Sequence, residues 1–441
     1  MRALAAWVLD RTLETRSPSS VYLDSALARC PEMDRPLLRE LALGSLRWLR
    51  RIDDVLERSS SRALDDIDAA LRSPLRLATY QLLFLDRVPA HAAVDEAVRH
   101  ARERTHRGGA GFVNAVLRRI ARDPHLDAWP VERADPIEQL AIEKSHPDFL
   151  VRRWLDRYGR ERTVELLDAN NRPKPLHLLA FRDRGGREIL AERLIDDDVA
   201  VEPSALAPFG LVVRRGNPLH GDAFRTGDAY VQDEASQVAA LVPPPRAGER
   251  ILDAAAAPGG KAFSILSFEP SARVVAADVG LGRLALLARN RERLGRDLPL
   301  IGADAGQPPL RAETFDRVVL DLPCTGTGTL RKNPEIKWRV RASEIGRLSR
   351  LAGRLLDGCA PRVVSGGLLV AITCSIEPEE NEAVIQAFLD RHEGFDRVDL
   401  AARLEPPMDR HLLPAKGGWR MLPSGDHDGF TVHVIQRNGH V

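Results

Sequence analysis

The chain has 441 residues, 44% of them hydrophobic and 29% charged, with 64 basic against 63 acidic side chains and a formal net charge of +1. That length exceeds one ordinary hydrophobic core, so two or three domains of a soluble globular protein are expected. The balanced charge excludes a generally polycationic nucleic-acid binder and leaves room only for a local basic patch.

Cys30, Cys324, Cys359 and Cys374 are far apart and form no Cys-x-x-Cys pair, which argues against a disulfide framework and against a zinc site. No apolar run approaches bilayer length. Asp10 and Arg11 interrupt the apolar patch at residues 1–9, which therefore reads as an amphipathic helix rather than a signal peptide. The expectation is a cytoplasmic protein with no metal, no membrane partner and a monomeric state.

Residues 1–125 carry a helical pattern almost throughout. Leu37, Leu38, Leu41, Leu43, Leu46 and Leu49, then Leu75, Leu77, Tyr80, Leu82 and Leu83, recur at helical spacing, the stripe of helices packed in an all-α bundle. Pro74, Pro89 and Gly108-Gly109 are expected to punctuate these helices. Arg47, Arg50 and Arg51, Arg99, Arg102, Arg104 and Arg107, and Arg118, Arg119 and Arg122 are placed on exposed faces. Their guanidinium forks suit phosphate, but interleaved Asp53, Asp54, Asp65, Asp66 and Glu103 are equally consistent with solvated faces and local ion pairs.

Residues 126–170 read as a linker holding Asp127, Trp129 and Pro130, followed by a helical segment. Over residues 171–229, short apolar runs alternate with Gly, Pro and Asp around one helical stretch at 187–196, as in a small α+β module. Such modules are often RNA-binding sheets, but the aromatics of a stacking platform are scarce here.

From residue 230 to 441, strand and helix alternate regularly. Strands end near Asp253, Asp278, Ala303, Asp321 and Thr373, helices fall at 283–294 and 343–359, and a closing strand lies at 429–435. This is a doubly wound α/β domain.

Its centre is Ile251-Leu252-Asp253-Ala254-Ala255-Ala256-Ala257-Pro258-Gly259-Gly260-Lys261. A strand, a turn of small residues and a helix starting near Lys261 let a ligand lie against main-chain N–H groups at the positive end of the helix. The turn lacks the spaced glycines of a dinucleotide fingerprint. It also fails as a phosphate loop, with Ala255 where the first Gly belongs and Ala262 where Ser or Thr would hold magnesium. Asp278, at the end of the next strand, is placed to grip ribose hydroxyls. The combination favours an adenosyl ligand without a polyphosphate, of which S-adenosylmethionine is the commonest.

Two further strand ends carry thiols: Asp321-Leu322-Pro323-Cys324 and Thr373-Cys374-Ser375. Either cysteine alone is as consistent with a small buried hydrophobe. Together with a carboxylate beside a methyl donor they suit carbon-5 methylation of cytosine, because a thiolate added at carbon 6 turns the ring into a nucleophilic enamine. The carbon-5 proton must then leave to a base or to a water it positions, and a carboxylic acid at ring nitrogen 3 assists the addition. An amino-group methyltransferase would instead show Asn-Pro-Pro-aromatic where this chain has Asp-Leu-Pro-Cys. Cys30 and Cys359 read as core residues.

These stretches resemble the Sun or Fmu type of RNA cytosine-5 methyltransferases, whose loops are Asp-Ala-Cys-Ala-Ala-Pro-Gly-Gly-Lys, Asp-Ala-Pro-Cys and Thr-Cys-Ser. Residues 230–237 and 333–338 look like family stretches too, and Leu38 to Gly44 with Gly111 to Arg118 resemble a NusB-like RNA-binding domain. The resemblance implies a Rossmann-like class I methyltransferase domain behind an all-α NusB-like bundle and the small module. It points to the bacterial members acting on 16S ribosomal RNA.

By that resemblance Cys374 is the nucleophile, Cys324 enables product release and Asp321 contacts the cytosine near the cofactor. Ala255, Ala256, Ala257, Pro258, Gly259, Gly260 and Lys261, with Asp278, Asp304 and Asp321, line the S-adenosylmethionine site. Ala255 replaces the family's usual Cys in a loop that works through its backbone. Residues 176–182 match the family's Leu-Arg-x-Asn segment poorly, and Thr431 stands where a second Phe is common. A non-catalytic RNA-binding factor, or a transfer-RNA substrate, remains the alternative on motif alone.

Overall fold

The computed structural model describes all residues except Arg16, His106, 126–128, 415–416 and 440–441; Asp127 of the expected linker lies outside the described set. The chain forms two compact units. One comprises Met1–Pro173 with Leu330–Arg339, the other Lys174–Thr329 with Val340–Val441.

The first unit is helical. Its helices Arg2–Thr15, Ser19–Ala28, Arg35–Arg47, Leu49–Ser60, Ala69–Phe84, Ala90–Arg104 and Arg107–Ile120 bury Leu38, Leu41, Leu46, Leu75 and Tyr80 in one core. The periodic leucines thus point inward as their spacing requires. Helices Pro136–Glu143 and Asp148–Asn171 follow.

One expectation fails here. Pro74 sits inside the helix Ala69–Phe84 and marks no boundary, whereas Pro89 caps Ala90–Arg104 and Gly108-Gly109 fall in the first turn of Arg107–Ile120. Pro74 forfeits one main-chain hydrogen bond, but Leu71, Leu75 and Ala78 around it are fully packed, and that burial holds the helix.

Nor are Arg47 and Arg51 exposed; both are buried. Arg47 donates to the carbonyl of Arg331 (3.1 Å), Arg51 pairs with Asp54 (3.1 Å), and Arg50 meets Asp148 through two bonds of 2.8 and 3.1 Å. Local ion pairs are the better account of this cluster.

The segment Leu330–Arg339 completes the unit. Glu335 accepts from the amide and hydroxyl of Ser19, and the Trp338 indole donates to the carbonyl of Leu46 (2.8 Å). The Lys337 ammonium reaches the carbonyls of Arg47 and Ser145 (3.2 and 3.1 Å) and Asn171 Oδ1 (2.6 Å).

The second unit holds two sheets. Strands β1 (Leu176–Ala180), β2 (Ala200–Pro203), β3 (Gly210–Arg215) and β4 (Ala229–Val231) form an antiparallel sheet in the order β2-β3-β1-β4. With the helix Gly186–Asp196 after β1 and a short one, Asp222–Arg225, after β3, this is the split βαβ arrangement of a ferredoxin-like fold.

The larger sheet contains β5 (Arg250–Asp253), β6 (Arg273–Asp278), β7 (Leu300–Gly302), β8 (Phe315–Asp321), β9 (Val363–Thr373), β10 (Phe395–Arg397), β11 (Leu412–Leu413), β12 (Gly418–Met421) and β13 (Phe430–Arg437). Its order is β11-β12-β13-β9-β8-β5-β6-β7, with β10 beside β13. From β9 to β7 neighbours are parallel, and β13 runs antiparallel to β9. Alternate residues face opposite cores: Ile251, Val319 and Val370 one way, Leu252, Val318 and Leu369 the other, as the pleat demands. The chain reverses between β5 and β8, so the cleft at their carboxyl ends is where a doubly wound sheet binds ligands.

Candidate active site

Five strand ends line up along that edge. In sheet order they carry Asp304 just beyond β7, Asp278 on β6, Asp253 on β5, Asp321 on β8, and Thr373 followed by Cys374 on β9.

Beyond Asp253 the turn is nearly free of side chains, because Ala254 to Ala257 offer only methyl groups. Gly259 has φ +114°, and a Cβ there would lie 2.4 Å from Phe263 and 2.6 Å from Leu287, so only glycine turns the chain into the helix Gly260–Phe268. Asp278 braces the loop, accepting from the amide of Ala257 (3.2 Å) and from the amide of Gly280 (2.7 Å), with Arg283 at 2.8 Å. Asp304 is exposed and accepts from Gly306 N (2.8 Å).

Asp253 itself is buried, and neither carboxylate oxygen has a well-formed hydrogen bond. Desolvation pushes its pKa up to about 7, against the pull of Lys261. Lys261 is buried as well. Its Nζ lies 2.5 Å from Asp321 Oδ2 and over the ring of Phe430. Burial disfavours the ammonium, but Asp321 more than offsets this, with Cys374 and Asp253 adding to it, and the group stays protonated above its ordinary range.

The two thiols meet. Cys324 Sγ and Cys374 Sγ are 3.5 Å apart, on loops leaving adjacent parallel strands in which Asp321 pairs with Ile372. The hydrogen bond with Cys374 raises the Cys324 pKa, and burial raises it further. Lys261 reaches Asp321 of the thiol loops, whereas Asp304 is engaged by the amide of Gly306 in its own loop. Cys30 is buried in the core of the helical unit and Cys359 in a core of the sheet unit.

Sequence reasoning missed the scaffold behind the sulfurs. Glu380 accepts from the amide (2.8 Å) and hydroxyl (2.6 Å) of Thr325, the residue after Cys324. Asn381 accepts from Thr373 (2.6 Å) and donates to the carbonyls of Ser375 (3.1 Å) and Glu377 (2.7 Å). Gly328 donates to the Cys374 carbonyl (2.9 Å), and a Cβ there would stand 2.3 Å from the Gly429 carbonyl. The only available signal was a polar run, Glu377 to Asn381, directly after a strand end.

Residues 240–433 match the 16S rRNA methyltransferase RsmB/F family, residues 1–122 the NusB family, and residues 146–220 the ferredoxin-like domain of RsmF/B-like methyltransferases. The ribosomal RNA small subunit methyltransferase B of Pseudomonas putida is 34% identical, over 97% of this chain and 96% of its own length. A probable ribosomal RNA small subunit methyltransferase B of Bacillus subtilis is 31% identical, over 100% and 99%. The crystal structure of PH0851 superposes with a TM-score of 0.81 at 27% identity, over 99% of this chain and 98% of that one. With its domain order, strand-end motifs and near full-length relatives in agreement, the chain belongs to the RsmB/F family of 16S rRNA methyltransferases.

Proposed function

We propose that this protein methylates carbon 5 of a cytosine in 16S ribosomal RNA, using S-adenosylmethionine and a covalent adduct on Cys374. The observation that carries the reading is the 3.5 Å approach of Cys324 and Cys374 beside the Lys261–Asp321 pair. Two thiols at one pocket suit a thiolate that adds to carbon 6 and a second group that assists its release.

The loop fits the cofactor. Its methyl-only walls leave the main chain accessible, Asp278 is set for hydroxyl donors, and the buried oxygens of Asp253 lack a well-formed partner, a demand that a nearby cationic ligand meets. Residues 255–261 with Asp278, Asp304 and Asp321 would hold it. When bound, S-adenosylmethionine supplies an electrophilic methyl group to carbon 5.

The remaining steps belong to the protein. Cys374, as thiolate, forms a bond to carbon 6 while the ring's nitrogen 3 takes a hydrogen bond from the Asp321–Lys261 pair, whose ammonium keeps a proton at hand. After transfer, the proton on carbon 5 passes to a water that Cys324 positions, and on to solvent. The carbon 5–carbon 6 double bond re-forms and the Cys374 sulfur leaves. The scaffold of Glu380, Asn381 and Gly328 fixes both sulfurs beforehand, so less order is lost at the reaction itself.

Two variants test the reading. Cys374→Ser is expected to abolish methyl transfer, and Cys324→Ala to accumulate an RNA adduct that survives denaturing electrophoresis. Normal turnover by Cys374→Ser would refute it, and bisulfite sequencing of treated RNA identifies the base.

A further inference from the structure

A groove of about 660 Å³ runs between the helices Ala342–Cys359 and Glu382–Leu389. Its floor is apolar, formed by Leu351, Val384 and Ala387, and its rim carries Arg347, Arg350, Arg354 and Arg391 against only Asp357 and Glu379. The two outer arginines are already engaged: Arg347 with Glu344 (2.9 and 2.6 Å) and Arg391 with Asp357 (3.0 and 3.1 Å). Arg350 and Arg354, both exposed, have no acidic partner among the described residues.

The groove also leads somewhere. The helix Ala342–Cys359 feeds β9, so it starts at the carboxyl edge of the sheet and runs away from it. Midway along that helix Ser349 donates to the carbonyl of Glu379 (2.7 Å), and the next residue, Glu380, holds Thr325 beside Cys324. The groove wall at Glu379 is thus one residue away from the scaffold of the Cys324 loop.

We infer that this groove binds the RNA strand flanking the target nucleotide, with Arg350 and Arg354 on backbone phosphates and a base or ribose against Leu351, Val384 and Ala387. Single-stranded nucleic acid asks for this pairing, a cationic track with apolar faces for its flat rings. Unpaired arginines serve phosphate better than arginines already bonded to carboxylates, since no existing ion pair must break. Along the helix, Arg347 to Arg354 spans about 10 Å at ~1.5 Å per residue, a short length of strand. A wholly apolar protein segment would leave the two free guanidiniums without counter-charge.

This inference rests on the RNA-methylating reading above, and its test separates the two. Full-length protein carrying Arg350→Glu with Arg354→Glu is compared with wild type on unmodified transcribed 16S rRNA, with labelled methyl incorporation and filter binding across salt concentrations. The expected result is an RNA KM raised at least about tenfold and a salt slope of RNA binding reduced by about 2, one for each lost phosphate contact. kcat and the KM for S-adenosylmethionine should stay within about twofold, and the Arg→Lys pair at the same positions should recover most of the affinity.

Unchanged RNA KM and salt slope in a wild-type-active enzyme would overturn the groove and leave it to an acidic protein segment. If wild type transfers no methyl group to RNA, the activity reading fails, while the salt slope still reports on the groove by itself.

Discussion

Two lysines, Lys261 in the sheet unit and Lys337 in the helical unit, are both buried, yet their surroundings drive them in opposite directions. Lys261 faces a carboxylate and is held protonated above its usual range. Lys337 faces two carbonyls and an amide oxygen; burial, with Arg47 nearby, pushes it well below that range. Burial alone therefore does not decide whether a lysine serves chemistry. The charge of its partner does: the first is a cation kept for use, the second an anchor that satisfies three oxygens.

The sharpest way to break that contrast is Lys261→Met. It should lower kcat per folded molecule on the order of 10²–10³-fold, the cost of losing a preorganised electrostatic group. Wild-type kcat in single-turnover methyl transfer would make the two lysines equivalent.

Lys337→Met should do the reverse, costing about 2–3 kcal/mol of stability in the helical unit through unsatisfied buried acceptors, with kcat per folded molecule intact. Thermal unfolding followed by circular dichroism reads the loss.

The smallest effect is in pH. With the folded value of Lys337 depressed, the unfolded chain binds the proton more readily between that value and ~10.4, so stability rises with pH across that window. For Lys261 the contribution is fully present below ~10.4 and is lost as pH rises through its raised folded value. Asp253, pushed up to about 7, holds a proton that the unfolded chain releases, so stability should fall as pH rises from ~4 to ~7. Asp253→Asn should flatten that slope, and an unaltered pH dependence of the melting midpoint would show Asp253 ionised in the fold.

Much of the sheet was legible because its signals are local. The expected helix at 343–359 is found at Ala342–Cys359, the closing strand at 429–435 is found at Phe430–Arg437, and Asp253, Asp278 and Asp321 end their strands as read. That Cys324 and Cys374 would meet followed from both lying just past strand ends, provided those strands were neighbours. What was not legible depends on partners distant in the chain. Arg47 looked like an exposed helix residue because its acceptor, the carbonyl of Arg331, lies 284 positions away. Lys337 stood in a stretch singled out by resemblance, but its partners are 166 to 290 positions distant. Pro74 misled as a helix breaker because the packing that overrides it is tertiary.

The ten residues Leu330–Arg339 set the order in which the molecule can be completed during synthesis. Nascent chains usually finish their amino-terminal domain first, but here Met1–Pro173 leaves the ribosome before the piece that engages Ser19, Leu46 and Asn171. The contacts of that segment with the helical unit form only once translation has passed Arg339, by which point β5 to β8 have already emerged. Maturation of the first part of the protein is thereby tied to production of most of the second.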